Sequence, residues 1–276
     1  MAYPVVSAPY GLKPVNLIGG QVFAGSTRNI PIIYGESTSI FYGDFVKVVR
    51  GTVQRQAVTT AGGAAGLVGI FLGCSYTNPV TKQKTFSQYW PGGTLAGDAV
   101  AIVCDDPDTV FKSAIVASSG STTVTSAAMA MIGQNLQGSN LAGNVNTGNS
   151  SNGLIIPAAT TSSAYVARVM AIVPDTAVSL GSATYTSIST ATVTCSALPF
   201  ALPVGTDVAS IAANGQMIAS GSYVATAVSA GATSFDLNAA PATAFVSSST
   251  LVFTQYPEVL VKLNFGIHEY YTATAV

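Results

Sequence analysis

Histidine and cysteine, the side chains that most often carry nucleophilic and acid–base chemistry, are scarce in this chain. His268 is the only histidine, and Cys74, Cys104 and Cys195 are widely spaced. A catalytic triad needs a base beside its nucleophile, and zinc sites usually draw their ligands from close pairs. G-x-S-x-G, P-loop and dinucleotide-binding motifs are also missing. We therefore expect no enzyme, no catalytic residue, no cofactor and no metal, with the three cysteines as buried free thiols. A lyase or hydrolase using carboxylates alone is the weakest alternative.

Four consecutive residues, Asp105-Asp106-Pro107-Asp108, form the one acidic cluster. Carboxylate oxygens are the ligands that Ca²⁺ prefers. The flanking sequence, however, lacks the Asp/Asn and Gly spacing of a calcium loop, which favours a solvated Asp-Pro turn over a cation site. The Asn/Gly/Ser-rich stretch 136–153 likewise lacks the carboxylates of a calcium-binding β-roll.

Aromatic residues are concentrated in Phe86-Ser-Gln-Tyr89-Trp90-Pro91 and near both ends of the chain. Tyrosine and tryptophan are favoured as interface anchors, although packing in the core at the end of a strand is the more common role for such a central cluster. The candidate partner-binding residues are Tyr3, Tyr10, Tyr89, Trp90, Tyr270 and Tyr271.

Charged residues make up only 8% of the chain, against about 25% in a typical soluble protein. A surface of Ser, Thr, Ala, Asn and Gly indicates that partners cover much of it. A neutral secreted or adhesin-type β-protein is the alternative. The net charge of −1, with ten Lys plus Arg and no basic run, argues against nucleic acid as a partner.

The mean hydropathy is +0.47, yet the longest apolar runs are shorter than the roughly 18 residues that a spanning helix needs. We therefore expect no membrane association. The first residues have no basic region, and Pro4 and Pro9 interrupt any apolar run, so they are not typical of a signal peptide.

Short runs rich in Val, Ile, Thr and Tyr, bounded by Gly, Pro, Asn or Asp, predict an all-β fold. Two of the runs begin with the same Gly-Asp pair, Gly43-Asp44 and Gly97-Asp98, which we interpret as turns that precede strands. Ser126 to Leu136 is the best helical candidate. The predicted strands are 29–34, 44–50, 67–74, 84–89, 98–104, 109–116, 164–173 and 258–265.

Three regions follow from the composition. Residues 1–20 are interpreted as an extended N-terminal arm, and residues 21–175 together with 256–276 as a β-barrel or β-sandwich base domain. Residues 176–255 contain only Asp207 and Asp236 as charged residues, which indicates a small inserted β-sandwich-like module. The stretch 136–153 is predicted to be a long surface loop that a neighbouring subunit orders.

Several stretches resemble accessory head proteins of tailed bacteriophages, including phages of cyanobacteria. The resemblance covers about residues 8–175 and 256–276 but not the module 176–255. The stretches are 8–21 (APYGLKPVNLIGGQ), 39–44 (SIFYGD), 69–76 (GIFLGCSY), 86–91 (FSQYWP) and 259–266 (VLVKLNFG).

The resemblance implies a capsid decoration or cement protein, made in the bacterial host cytoplasm and located on the capsid surface of the virion. Its expected partners are the major capsid protein and further copies of itself, as a homotrimer or homodimer. A head fibre or host-surface-binding protein and a minor head-to-tail or tail component are the alternatives.

Overall fold

The computed structural model describes residues 6–18, 20–59, 66–157, 161–212, 214–246, 248–264, 266 and 268–270. This part of the chain is almost entirely β-structure, interrupted by two single-turn 3₁₀ helices, Met129–Met131 and Pro174–Thr176. The predicted all-β fold class is therefore confirmed. The strands are β1 (Lys13–Leu17), β2 (Arg28–Pro31), β3 (Phe45–Val49), β4 (Thr52–Arg55), β5 (Leu67–Thr77), β6 (Lys84–Ser87), β7 (Val100–Cys104), β8 (Thr109–Ala114), β9 (Asn135–Gly138), β10 (Leu154–Ile155), β11 (Ala167–Ile172), β12 (Val178–Ser189), β13 (Thr192–Cys195), β14 (Asp207–Ile211), β15 (Met217–Tyr223), β16 (Ser234–Asp236), β17 (Thr250–Gln255) and β18 (Glu258–Leu263).

All eight strands predicted from the sequence are present, as β2, β3, β5, β6, β7, β8, β11 and β18. The predicted helix over Ser126 to Leu136 is wrong. That segment holds one 3₁₀ turn and the start of β9. Its run of Ala and Met favours a helix locally, but backbone pairing with Tyr256 takes Ala127 into a β-bridge instead.

The chain divides into two compact units. The larger contains residues 8–123 and 133–170 and the segment from 260 onward, and the smaller contains residues 124–132 and 171–259. The sequence had placed the inserted module at 176–255. Residues 124–132 belong to the smaller unit because the Gln255 side chain donates to the Thr125 carbonyl (2.8 Å) and the Tyr256 N–H donates to the Ser126 hydroxyl (2.9 Å).

One sheet of the larger unit runs in the order β2-β7-β5-β3-β4, and β6 pairs with the far half of β5. The sheet curls until its two edges meet at a bridge between Ile32 and Val53, which makes a half-barrel. Its interior is filled by apolar side chains from β2, β3, β4, β5 and β7 around Phe71 and Trp90, both fully buried. Alternate side chains along each strand face this interior, and their burial stabilises the curved sheet.

The second sheet of the larger unit runs in the order β1-β8-β18-β11-β9-β10. It contains residues 13–17 of the segment interpreted as an N-terminal arm, since β1 pairs antiparallel with β8 and Lys13 lies opposite Lys112. The predicted partner strands at 164–173 and 258–265 are neighbours in it, as β11 and β18.

The smaller unit has one six-stranded sheet, in the order β15-β14-β17-β12-β13-β16. Its apolar side chains form a core of their own, centred on Phe253, which packs edge-on against Phe200 and Phe235. Gly181 in β12 makes room for the Phe200 ring, because a Cβ at this glycine would lie 2.4 Å from a ring carbon. Many residues of this unit are small (Ala, Ser and Thr), so the few aromatic rings fill a large part of its core.

Asp44, directly before β3, is a fully buried carboxylate in the larger unit. One oxygen, Oδ2, accepts from the Phe41 N–H (2.9 Å) and forms an ion pair with the Arg55 Nε (3.1 Å). The other oxygen, Oδ1, accepts from the Ser150 hydroxyl (2.5 Å) and the Asn152 amide (2.7 Å). Burial raises the pKa of the Asp44 carboxyl, and these four partners oppose that shift by stabilising the charged form.

The Asn/Gly/Ser-rich stretch 136–153 is therefore held by this chain itself. Residues 144–147 are exposed, as a surface loop requires, whereas Ser139, Ser150 and Asn152 are buried, and the last two bind Asp44. Ordering by a neighbouring subunit stays a prediction. Asn152 is buried and also accepts from the Leu141 N–H (2.7 Å), while the Arg55 guanidinium donates to the Leu141 carbonyl. The stretch has few apolar side chains to bury, and its hydrogen bonds to the buried Asp44 carboxylate hold it in place instead.

The Gly43 backbone lies in contact with Gly11. Gly43 has a φ of +91°, Gly11 has a φ of +81°, and the Leu12 N–H donates to the Gly43 carbonyl (3.1 Å). A Cβ at Gly43 would lie 2.9 Å from the Gly11 Cα. Glycine is required here by both conformation and space.

Replacing Asp44 with Ala leaves Arg55, Ser150 and Asn152 without their acceptor inside the larger unit. We expect Asp44→Ala to lower the free energy of unfolding by about 3–5 kcal/mol, the usual cost of removing one partner from a buried ion pair. Urea denaturation followed by circular dichroism measures the change. Asp98→Ala is the matched control, since Asp98 is the aspartate of the second Gly-Asp pair but is solvent-exposed. This variant should lose clearly less free energy of unfolding. Equal losses in the two variants would contradict the role given to the Asp44 network.

Gly43→Ala should destabilise the protein by more than about 2 kcal/mol, because a left-handed conformation alone costs an alanine about 1–2 kcal/mol and the Cβ also meets backbone. Gly97→Ala is the control, since a Cβ at Gly97 meets nothing within 4 Å. Thermal unfolding of both variants compares them directly. A Gly43→Ala protein as stable as Gly97→Ala would show that the Gly11 contact is not needed.

Candidate functional site

An ion pair with an aromatic neighbour lies beside one end of the half-barrel. The Arg28 Nε contacts the Asp105 Oδ2 at 2.9 Å, and the Tyr270 hydroxyl donates to the same oxygen at 2.5 Å. The Arg28 guanidinium also lies over the Tyr270 ring, 5.0 Å from its centroid. Burial and the hydrogen bond to Asp105 raise the pKa of the Tyr270 hydroxyl. The predicted partner-binding residue Tyr270 is thus held by contacts within the chain, and the residue is 44% exposed.

His268 is buried next to this cluster. It forms a β-bridge with Leu67, and its ring lies 4.9 Å from the Tyr270 ring. Burial lowers the pKa of the His268 imidazole, although the Asp105 carboxylate acts in the opposite direction. The residue therefore anchors the end of the described chain on β5.

The carboxylates of the Asp105–Asp108 turn point to different partners. Asp105 binds Arg28, the Asp106 side chain accepts from the Asp108 N–H (2.9 Å), and Asp108 binds the Lys262 ammonium (2.7 Å). An Asp side chain that accepts from the backbone two residues on is typical of a turn. Within the described residues, no group of three or more His, Cys, Asp or Glu side chains is arranged to hold a metal ion.

The three cysteines are buried and free, as predicted. Burial raises the pKa of the Cys74 thiol to about 12 and that of the Cys104 thiol to about 11. Thiols with such pKa values stay protonated at neutral pH, and a protonated thiol is a poor nucleophile or metal ligand.

Trp90 and Tyr89 differ in their exposure, although they are adjacent and both were candidate partner-binding residues. Trp90 is fully buried, its indole N–H donates to the Glu36 carbonyl (3.2 Å), and its ring packs edge-on against Tyr76. Its side chain therefore offers no surface to a partner. Tyr89 is half-buried and stacks on Phe41 with 5.3 Å between ring centroids.

Tyr10 lies on the β1–β8 face between two ammonium groups. Lys13 Nζ lies 4.6 Å and Lys112 Nζ 6.0 Å from the centroid of its ring. The ring thus screens two lysines that face each other across the strands. Tyr3 and Tyr271 lie outside the described residues, so their predicted roles stay predictions.

The most exposed large apolar side chains of the larger unit include two on the β5–β6 hairpin. Val80, in the turn, is 85% exposed, and Phe86, in β6, is 78% exposed. The turn itself is rigid, because the Asn78 side chain accepts from the N–H groups of Val80 (2.8 Å) and Thr81 (3.2 Å). We define Val80 and Phe86 as the hairpin anchor. The sequence pointed to Tyr89 and Trp90 instead, since nothing in the local pattern shows which aromatic residue of 86–90 faces solvent.

Asp207 is the unusual carboxylate of the smaller unit. It begins β14, lies opposite Tyr223 of β15, and is only half exposed. Burial raises the pKa of its carboxyl to about 6, opposed by a hydrogen bond from backbone. The charge of Asp207 in turn adds to the burial that raises the pKa of the Tyr256 hydroxyl.

Comparison with protein-family models, with curated proteins and with solved structures found no match for this chain. Among the described residues, no helix has the length and apolarity to cross a membrane. The fold thus defines an all-β protein with two compact units, and the candidate sites are surfaces and pockets on those units.

The raised pKa of Asp207 predicts a pH dependence with a definite sign. The folded protein binds the Asp207 proton more tightly than the unfolded chain, so the contribution of Asp207 to stability should fall as pH rises from about 4 to about 6. Asp207→Asn removes this penalty and should be more stable than the parent at pH 7 but equally stable at pH 4. Solvent screening at this half-exposed carboxylate limits the expected gain to about 1 kcal/mol.

Thermal unfolding of the parent and Asp207→Asn across this pH range measures the effect. Asp236→Asn is the control, since Asp236 is the other acidic residue of residues 176–255 and is exposed. If the parent were as stable as Asp207→Asn at pH 7, or more stable, the raised pKa assigned to Asp207 would be contradicted.

Proposed function

We propose that this chain is a structural virion protein that binds the outer surface of a phage capsid and stabilises it, as a cement or decoration protein. Its partners would be the major capsid protein and further copies of itself, as a homotrimer or homodimer, on the virion surface. The observation that carries the proposal is a surface with few free charges and with large apolar side chains on a rigid support.

Some of the few charges that the chain has are directed at one another. Ten Lys plus Arg and eleven Asp plus Glu give 21 charged residues. Eight of them form the ion pairs Arg28–Asp105, Arg55–Asp44, Lys84–Asp98 and Lys262–Asp108. A surface with so little free charge is easily dehydrated, which favours broad protein contacts over an isolated monomer.

The hairpin anchor supplies a specific contact. Burying Val80 and Phe86 in a partner's surface would contribute about 1.5–3 kcal/mol each. Because the Asn78 side chain already fixes the turn, little conformational entropy is lost on binding. Many copies on one capsid would multiply this contribution.

The electrostatics favour the outer rather than the inner face of a capsid. With a net charge of −1 and four of its ten cationic side chains in ion pairs, the chain has little to offer to DNA phosphates. A capsid under internal DNA pressure gains from proteins that bridge neighbouring capsomers from outside.

Adding the purified chain to expanded phage heads that lack it should raise the temperature at which the heads lose their DNA. The double variant Val80→Ser/Phe86→Ser should bind at least about tenfold more weakly, since two exposed apolar contacts are lost. Calorimetry of the heads and sedimentation of bound protein measure the two effects.

Val22→Ser is the matched control, because Val22 is 80% exposed in the same unit but lies away from the hairpin. Circular dichroism of each variant verifies that the fold is kept. Heads equally stable with and without the chain, and no chain on the head surface, would overturn the proposal. Adsorption of the chain to host cells instead would favour a host-surface-binding protein.

A further inference from the structure

A pocket of about 340 Å³ lies on the sheet of the larger unit where β11 and β18 are neighbours. Ile18, Met170 and Leu263 supply its apolar wall, while Ser163, Arg168, Lys262 and Asn264 supply its polar groups. The volume falls in the range of small-molecule sites, in which apolar walls surround a few fixed polar groups. We name it the β11–β18 pocket.

Two cationic side chains meet in this pocket. The Asn264 N–H donates to the Val166 carbonyl (3.0 Å) and the Val173 N–H to the Glu258 carbonyl (3.1 Å), so β11 and β18 run antiparallel. In this register Lys262 and Arg168 lie opposite each other, two residues from Asn264 and Val166. Both line the pocket. Lys262 is paired with Asp108 at 2.7 Å, so the three groups together carry a charge of +1. Like charges on neighbouring strands repel, and an anion between them would relieve that repulsion.

A buried amide fixes the orientation of Arg168. The Asn135 Oδ1 accepts from the Arg168 Nε (3.1 Å) and from the Asn264 amide (3.2 Å), while the Asn135 amide itself donates to the Ser162 carbonyl (3.0 Å). Asn135 is only 3% exposed. Within the described residues, the two terminal amino groups of Arg168 have no partner. A guanidinium held by Nε presents these groups as a fork, the arrangement that binds a carboxylate with two parallel hydrogen bonds.

From this geometry we infer that the β11–β18 pocket binds a monocarboxylate that carries a short apolar group. Arg168 receives the carboxylate, and Met170 and Ile18 cover the apolar part. The single net positive charge matches one carboxylate better than a doubly charged phosphate. The carboxylate comes either from a free organic acid or from an acidic side chain of a protein partner, since both present the same chemistry.

Isothermal titration calorimetry of the full chain with hexanoate, acetate and hexanol tests the pocket. We expect hexanoate to bind at least about tenfold more tightly than acetate, because methylene groups gain by burial. Hexanol should bind more weakly than hexanoate, since it lacks the charge that Arg168 pairs with. Hexanol binding as tightly as hexanoate, or no binding of hexanoate, would overturn the inference.

Two variants separate the polar and apolar contributions. Arg168→Gln should weaken hexanoate binding at least about tenfold, and Met170→Ser should reduce the preference for hexanoate over acetate. Arg50→Gln is the charge-matched control, because Arg50 is exposed in the β3–β4 turn outside the pocket. Hexanoate binding that is unchanged in Arg168→Gln, or equally weakened in Arg50→Gln, would refute the role of Arg168.

A blocked peptide, acetyl-Leu-Glu-Leu-amide, distinguishes the two sources of the carboxylate. Binding of the peptide that Arg168→Gln abolishes would identify a partner's side chain as the ligand. Binding of hexanoate without the peptide would identify a free acid. The capsid-binding test above is independent, since Val80 and Phe86 do not line this pocket.

Discussion

The buried carboxylate of Asp44 joins three segments of the chain, at residues 41–44, 55 and 150–152. It accepts from backbone at Phe41, pairs with Arg55 of β4, and receives Ser150 and Asn152 from the far end of a polar loop. Burying a charge is unfavourable unless every lone pair is satisfied. The half-barrel and the loop are therefore interdependent, because the half-barrel supplies Arg55 and the loop supplies Ser150 and Asn152. The contact of Gly11 with Gly43 fixes the backbone next to the carboxylate.

Ion pairs within the chain reduce the number of free charges on its surface. In the ion pairs Lys262–Asp108 and Arg28–Asp105, one side chain is largely buried and its partner is more than half exposed. Much of the remaining surface is small, neutral or apolar, with Val80 and Phe86 presented on a fixed turn. Such a surface is the basis of the assembly proposed above. Arg168 is the exception, since a buried amide holds its fork toward a pocket.

The Gly-Asp pairs show how far local sequence can be interpreted. Gly43-Asp44 and Gly97-Asp98 both precede Val-rich strands, and both were predicted to be turns. In the structure Asp44 is buried with four partners, whereas Asp98 is exposed and binds Thr77 and Lys84. A Cβ would collide with backbone at Gly43 but meet nothing at Gly97. The sequences around the two pairs do not differ in any way that predicts this, because the partners of Asp44 come from residues 55, 150 and 152.

Composition and period-2 patterns alone determined the all-β class, eight of the strands and the buried state of the cysteines, since these depend on local preference and on total apolar content. In the Ala/Ser/Thr-rich unit, the alternation of apolar and polar residues is too weak to place the individual strands from the sequence. Tertiary structure decided that Trp90 is core while Phe86 is exposed, that residues 124–132 join the smaller unit, and that Arg168 and Lys262 share a pocket. Each of these depends on which distant strands become neighbours, and that is fixed by long-range packing and by satisfaction of buried polar groups.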